Sequence, residues 1–330
     1  MLQQEFEIPL TRLAPHEEPL ARPLAIVRLD GDEQLAPEDI VLPPCPVIGI
    51  GDPDHSLARL CDAMVEGPVG AAGLIGNVLR SPHAAAAVVQ LLRFLPDLSP
   101  EQGLDAESMA YAMLQGSAEH HAWRRSRPVA EESFAPGQVR IAHRGSGVDV
   151  TLCREDAGNA IDTAMRDELS RVFAALALDP QVRRIRLTGE GKAFSLGAEL
   201  SEFGTTLDPA TAHEIRARTL PARQVLRCAD RLEAFVDGAC VGAGLEIAAF
   251  ARRIEATPRA WFQLPELAMG ILPGAGGCVS LTRRMGRQRT ALMILSGRRL
   301  GARKALEWGL VDSLVDNRAF DESHRDIAAE

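Results

Sequence analysis

The stretch "VDGACVGAGLEIAAFARR", residues 236–253, combines a run of small residues with one glutamate in apolar surroundings. Glycine loses more conformational freedom on folding than any other residue, and a buried carboxylate is costly unless it has partners. If a helix begins at residues 242–244, its first N–H groups have no partner within the helix, and the helix dipole adds positive charge there. The stretch therefore has the composition of an oxyanion hole.

Glu246 follows Ala243 by three residues and lies on the same face of such a helix. A carboxylate would then stand beside any oxygen that the backbone N–H groups hold. The alternative is a glycine-rich helix that packs tightly against a neighbour, with Glu246 reaching solvent or an arginine. The stretch by itself leaves both interpretations open.

The composition of the chain excludes several classes of protein. Its 330 residues are 46% hydrophobic and 25% charged, which is typical of a globular protein with one large domain or two. The net charge of −9 argues against nonspecific binding to nucleic acid or to an anionic membrane. No apolar run approaches the roughly 18 residues of a spanning helix, and residues 1–20 are acidic rather than signal-like. We therefore expect a cytoplasmic protein.

Cysteine and histidine give no indication of a metal site. The six cysteines are scattered without a CxxC pair, so neither a disulfide framework nor a zinc site is expected. His120 and His121 are adjacent, and neighbours on a helix point in different directions. We expect this pair to be surface polar residues rather than metal ligands.

A polar segment with two prolines, "RRSRPVAEESFAPGQ", divides the chain. We predict a small mixed α/β region over residues 1–125, a linker over 126–138 and a catalytic core over 139–330. In the first region, "LAIVRLD" (24–30) and "PVIGIGD" (46–52) favour strands, and apolar spacing predicts helices over 55–66, 83–95 and 106–123. No catalytic constellation is recognisable there.

After the linker, strands alternate with helices. The clearest helix is predicted over residues 162–177, with Asp162 as its cap and an apolar stripe (Met165, Leu169, Val172, Phe173, Leu176). Repeated strand–turn–helix units predict an α/β fold with a mostly parallel sheet. In such folds, functional groups collect at strand ends and at helix N-termini.

Two further stretches carry candidate groups. In "GKAFSLGAEL" (191–200), Gly197 permits a backbone angle that turns the Ala198 N–H toward a cleft; an ordinary βα turn is the alternative. In "FQLPELAMGILPGAGG" (262–277), Leu264 and Leu267 would desolvate Glu266 and raise its pKa, which suits proton transfer. A surface glutamate is the alternative there.

These stretches, together with "GRRLGARKALEWGLVDSLV" (297–315), occur in the order and spacing of the enoyl-CoA hydratase/isomerase family, the crotonases. The resemblance covers about residues 139–316. It implies a spiral of repeated ββα units, assembly as a homo-oligomer (a trimer or hexamer), and a ligand bound as a coenzyme A thioester. No cofactor is implied beyond the coenzyme A of the substrate.

The resemblance also assigns roles to residues. Ala198 and Ala243 match the two backbone N–H groups of the oxyanion hole, and Glu246 and Glu266 match the glutamate pair of the hydratases. Isomerases of the family commonly lose the equivalent of Glu246, whereas this chain keeps both. Gly197 and Gly242, which flank the hole, are expected to contact the substrate. Asn159, Ala160 and Lys192 fit the region that contacts the coenzyme A nucleotide.

The implied reaction is hydration of a 2-enoyl-CoA, with Glu246 as the base and Glu266 as the proton donor to C2. An enoyl-CoA isomerase, an acyl-CoA hydrolase, a dehydratase–thioesterase and a non-catalytic acyl-CoA-binding or assembly subunit are the alternatives. Relatives continue with several helices beyond the last motif, where this chain has only residues 317–330. We expect the N-terminal region to replace those helices or to be a degenerate crotonase unit.

Overall fold

The computed structural model describes residues 2–13, 22–30, 36, 38, 40–67, 69–127 and 134–316. Three β-sheets are interleaved with α-helices, and residues from both sides of the predicted linker share one hydrophobic core. No helix within these ranges is long and apolar enough to cross a membrane.

The N-terminal region contains a small parallel sheet covered by helices. In chain order its elements are α1 (Leu2–Phe6), β1 (Ala25–Leu29), β2 (Val47–Gly51), β3 (Ala63–Met64), α2 (Ala71–Arg80), α3 (Pro82–Phe94), α4 (Pro100–Gln115) and α5 (Ala118–Ser126). The strands lie in the order β1–β2–β3. Ile26 points into the main core, whereas Ala25 and Val27 join a second cluster on the opposite face, as the twofold period of a strand requires.

Of the five strands and helices predicted for this region, two are wrong and three are confirmed. The helix predicted over 55–66 is instead a short 3₁₀ turn, Ala58–Leu60, followed by β3. Its apolar residues pack under the sheet, and pairing with β2 overrides their helical spacing. The helix predicted over 106–123 is divided at Gly116, and Ser117 caps α5 by accepting the His120 N–H at 3.1 Å. Both predicted strands and the helix at 83–95 are present as β1, β2 and α3.

The region after the linker is larger and more regular. Its elements are β4 (Gln138–Arg144), β5 (Gly147–Cys153), α6 (Thr163–Leu178), β6 (Arg184–Gly189), β7 (Ala193–Ser195), α7 (Pro209–Thr219), α8 (Ala222–Leu226), β8 (Leu232–Val236), β9 (Ala239–Val241), α9 (Gly242–Ala248), β10 (Arg253–Ala256), β11 (Trp261–Gln263), α10 (Gly277–Met285), α11 (Arg287–Ser296), β12 (Leu300–Gly301), α12 (Ala302–Glu307) and β13 (Ser313–Leu314).

These elements form repeated ββα units. The first strand of each unit (β6, β8 or β10) enters a six-stranded sheet of order β13–β10–β8–β6–β5–β4. The second strand (β7, β9 or β11) enters a four-stranded sheet of order β12–β11–β9–β7, and a helix follows. Neighbouring repeats pair in parallel within each sheet. The predicted α/β fold of ββα repeats is confirmed, and it brings the ends of β7, β9 and β11 together.

The predicted helix over residues 162–177 is also confirmed as α6. Asp162 accepts the Met165 N–H at 2.8 Å and caps the helix. All five residues of the predicted apolar stripe are buried against the sheet.

Buried polar contacts join the two regions. Asp62 is 1% exposed and pairs with Arg93 of α3 at 2.6 Å and with Arg287 of α11 at 3.4 Å. Asn77 of α2 donates its Nδ2–H to the carbonyl oxygen of Ser296 at 2.7 Å. The domain division stays a prediction, since residues 128–133 of the linker and residues 317–330 lie outside the described ranges.

Candidate active site

Helix α9 begins immediately after β9, and all seven of its residues are buried. Glu246 is 2% exposed, and its Oε2 accepts the backbone N–H groups of Ala275 at 2.6 Å and Gly277 at 2.8 Å. The alternative in which Glu246 reaches solvent or an arginine is therefore wrong. Burial raises the pKa of Glu246 to about 7, against the opposing effect of these N–H donors.

Glu266 begins a short 3₁₀ helix, Glu266–Met269, directly after Pro265. It is 7% exposed, so the surface-glutamate alternative is also wrong. Its Oε2 is buried and has no hydrogen-bond partner within the described part of the chain. Burial, and then the charge of Glu246, raise the pKa of Glu266 well above the ordinary glutamate value.

The turn after β7 presents a free backbone N–H. Gly197 has φ +95°, its carbonyl oxygen accepts the Ile161 N–H at 2.8 Å, and its own N–H donates to Ser195 Oγ at 3.1 Å. The next N–H, that of Ala198, makes no hydrogen bond to any described residue. This turn thus leaves one donor unpaired at the end of a strand.

The second unpaired donor lies beside the first. Ala243 is the second residue of α9, where the N–H has no partner within the helix. Gly242 before it has φ +46°. A Cβ added to Gly197 would stand 3.1 Å from the carbonyl oxygen of Val241, and one added to Gly242 would stand 2.8 Å from Glu266 Oε1. Only glycine allows the two backbones and the carboxyl to approach this closely.

These groups line one cavity of about 390 Å³. Its wall contains six of the predicted site residues: Gly197, Ala198, Gly242, Ala243, Glu246 and Glu266. The arrangement places two hydrogen-bond donors and two desolvated carboxyls in the wall of one cavity. It can polarise a carbonyl group and transfer protons beside it.

Asn159, Ala160 and Lys192 are not among the described residues that line this cavity, although their neighbour Ile161 is. Asn159 is fully buried, and its Nδ2 donates to the carbonyl oxygens of Glu190 and Ala193, both at 2.8 Å. The Asn159 side chain therefore stabilises the turn between β6 and β7. Contact of these three residues with a nucleotide stays a prediction.

The N-terminal region supplies a third buried carboxyl, which sequence reasoning missed. Glu107 of α4 is 1% exposed and accepts the N–H groups of Gly276 at 2.7 Å and Cys278 at 2.8 Å. These donors alternate along the backbone with the two that Glu246 binds. Burial and the charge of Glu246 raise the pKa of Glu107. Its position in the buried stripe of α4 (Leu104, Glu107, Ser108) was the available signal.

Tyr111 and Gln115 of the same helix line the cavity, which was also not predicted. The expectation of a surface histidine pair is wrong for His120, which is 1% exposed. Its Nδ1 lies 2.9 Å from the carbonyl oxygen of Met269, and its ring stacks on Trp123. The described residues contain no cluster of three metal-ligating side chains.

Comparison with known proteins agrees with this architecture. The model of the family described as enoyl-CoA hydratase/isomerase matches residues 144–330. A mevalonyl-coenzyme A hydratase of Beauveria bassiana is 35% identical over 174 residues, which are 50% of this chain and 62% of that protein. A 2,3-dehydroadipyl-CoA hydratase of Escherichia coli K12 is 34% identical over 165 residues, 50% of this chain and 64% of that protein.

A crystal structure of an enoyl-CoA hydratase from Bacillus anthracis aligns with a TM-score of 0.52 at 29% identity, over 58% of this chain and 74% of that one. The ββα repeats and this likeness define a protein of the crotonase fold. The chain belongs to the enoyl-CoA hydratase/isomerase family, as the motifs predict. It spans less than two thirds of the length of the two hydratases compared above.

Proposed function

We propose that the protein adds water across the C2=C3 bond of a 2-enoyl-CoA thioester. The observation that carries this proposal is the convergence of two unpaired N–H groups and two buried carboxyls on one cavity. Ligand binding alone would not require two desolvated carboxyls, because each is costly to bury.

The N–H groups of Ala198 and Ala243 would hold the thioester oxygen. Attack of water at C3 moves electrons through the conjugated system onto that oxygen, and the two donors stabilise the resulting enolate. Donors that are already in place need no reorganisation when the charge develops, which is why a single oxyanion donor is typically worth about 10²–10³ in turnover.

The two glutamates divide the proton transfers. Glu246, with a pKa of about 7, is ionised in a large fraction of molecules near neutral pH and would act as the base toward water. Glu266, whose pKa burial and the charge of Glu246 raise, would carry the proton that C2 receives. One carboxyl therefore takes a proton while its neighbour gives one.

The names of the two curated relatives support a hydratase, since both denote hydratases of coenzyme A thioesters. Coenzyme A as part of the substrate, and contact of its nucleotide with Asn159, Ala160 and Lys192, belong to the same proposal. So does assembly as a trimer or hexamer. A cavity that α4 of the N-terminal region helps to line further suggests that the acyl chain is not of the usual kind.

The test is a panel of 2-enoyl-CoA thioesters, followed by the ultraviolet loss of conjugation with free coenzyme A measured in parallel. Hydration without coenzyme A release is expected. Release would favour a hydrolase, and formation of conjugation from a 3-enoyl-CoA would favour an isomerase. Tight binding without turnover would favour an acyl-CoA-binding subunit.

A matched pair of variants tests the oxyanion hole. Ala198→Pro removes the N–H, and turnover should fall about 10²–10³-fold, whereas Ala198→Gly keeps the N–H and should retain most of it. Equal losses in the two variants, at unchanged melting temperatures, would contradict a role for the Ala198 N–H.

A further inference from the structure

Arg216 of α7 is a guanidinium in the wall of the active-site cavity. Its Nη1 donates to Gln115 Oε1 at 2.8 Å, and its Nε and Nη2 donate to the hydroxyl and carbonyl oxygens of Ser108, both at 3.3 Å. Its Cζ lies 4.3 Å from the centroid of the Tyr111 ring. All these partners are neutral, and within the described ranges no carboxylate stands at ion-pair distance from Arg216.

This lack of a carboxylate partner distinguishes Arg216 from the other arginine of the cavity wall. Arg166 pairs with the carboxylate of Asp167 at 2.8 Å. Glu107 is the buried acid that interacts with Arg216 at longer range. Its carboxyl is occupied by two backbone N–H groups, and its raised pKa diminishes the negative charge that it can offer. A desolvated cation without a counterion is costly, so a ligand that supplies one would be bound strongly.

The geometry of Arg216 suits such a ligand. A guanidinium has five N–H donors, and three are used by Gln115 and Ser108. The remaining two can form a bidentate contact with a carboxylate. The Tyr111 ring packs on the guanidinium, and Ser108 and Gln115 of α4 accept its hydrogen bonds. These contacts hold the guanidinium in place, which reduces the conformational entropy lost when a ligand binds.

The cavity wall also has apolar side chains that an acyl chain can contact. Ile215, Leu220, Ile247 and Ile271 line the same cavity as Arg216 and the glutamate pair. Tyr111, Glu246 and Glu266 line this cavity together with Arg216, so the cation and the two carboxyls face the same space. An acyl chain can therefore lie against apolar side chains while its two ends meet polar groups.

We propose that Arg216 binds a carboxylate at the distal end of the acyl group, and that the substrates are 2-enoyl-CoA thioesters of dicarboxylic acids. This inference rests on the proposed hydration and adds the substrate class. It assigns the N-terminal region a role in specificity, because Tyr111, Ser108 and Gln115 of α4 position the guanidinium.

The experiment compares pairs of 2-enoyl-CoA substrates with equal acyl length, one ending in a methyl group and the other in a carboxylate, at several lengths. The full-length protein should prefer the carboxylate substrate in kcat/KM at the length that spans the cavity. Arg216→Met should lower kcat/KM for that substrate by about 10- to 100-fold and leave the methyl substrate nearly unchanged. Arg216→Lys should retain part of the preference. Arg166→Met is the matched control and should affect both substrates by the same factor.

A purely structural role for Arg216 would lower kcat/KM for both substrates alike, and that result overturns the inference. So does a wild-type protein that handles the methyl substrate equally well at every length. Calorimetric binding of the corresponding saturated acyl-CoA pair separates this inference from the proposed function. An Arg216-dependent binding preference without any hydration refutes the hydratase and supports the carboxylate site; equal binding of the pair refutes the site.

Discussion

Two regions of the molecule contribute to the cavity by different means. The region after residue 138 supplies backbone N–H groups at Ala198 and Ala243 and two carboxyls on tightly turned segments. The region before residue 127 supplies Tyr111 and Gln115 from the face of one regular helix, α4. The first arrangement requires glycine at specific backbone angles, whereas the second requires only that a helix pack in the correct position along the cavity wall.

This difference explains why one region has recognisable motifs and the other has none. A backbone donor at a positive-φ turn tolerates few residue types, so the surrounding sequence is constrained. A helix face that lines a wall can be built from many side chains. Glu107 shows the limit of this freedom, because it accepts two N–H groups at the N-terminal end of α10.

The largest expected effect is that of Glu246→Gln. Loss of the base should lower kcat/KM for hydration by about 10²–10⁴-fold, whereas Glu202→Gln, on the same cavity wall, should change it little. In the wild type, kcat/KM should fall as the pH decreases through about 7, because protonation of Glu246 removes the base. A pH–rate profile measures this. A variant that keeps more than about a tenth of the wild-type kcat/KM for hydration would contradict the role of Glu246 as the base.

The next largest effect concerns the ion pairs of Asp62, which connect the two regions. Asp62→Ala leaves Arg93 and Arg287 without their buried partner, and the free energy of unfolding should decrease by about 3–5 kcal/mol. Urea unfolding followed by circular dichroism and by tryptophan fluorescence should give one coincident transition, because both regions share a core. Breaking the exposed pair of Arg28 with Glu7 is the control and should matter little.

A decrease below about 1 kcal/mol would show that the Asp62 cluster does not hold the regions together. Separate transitions for the two spectroscopic signals would show that the two regions do not unfold as one cooperative unit. Either result would favour two autonomous domains, as the division at residues 126–138 predicts.

Much of the catalytic region could be predicted because its signals are local. The cap at Asp162, the apolar stripe of α6 and the small residues around Ala243 are each legible within a few positions. The helix wrongly predicted over 55–66 failed because strand pairing with β2 depends on residues distant in sequence. Glu107 and Arg216 were missed for the same reason, since their partners are 169 residues (Gly276) and 101 residues (Gln115) away.

The smallest expected effect concerns the contact between Tyr111 of α4 and Gly274 in the loop before α10. A Cβ added to Gly274 would overlap the Tyr111 ring, against which the guanidinium of Arg216 also packs. Gly274→Ala should therefore reduce the free energy of unfolding by about 1–3 kcal/mol, whereas Gly73→Ala, at an exposed position of α2 where an added Cβ meets nothing within 4 Å, should not reduce it.

A double-mutant cycle assigns the loss to this contact. Tyr111→Ala removes the ring, so adding Gly274→Ala to it should cost much less than Gly274→Ala costs in the wild type, giving an interaction energy of about 0.5–3 kcal/mol in urea unfolding. Additive losses would mean that the loop is strained by some other neighbour. In that case Tyr111 would not be held against residue 274, and α4 would be a replaceable wall rather than a fitted part of the site.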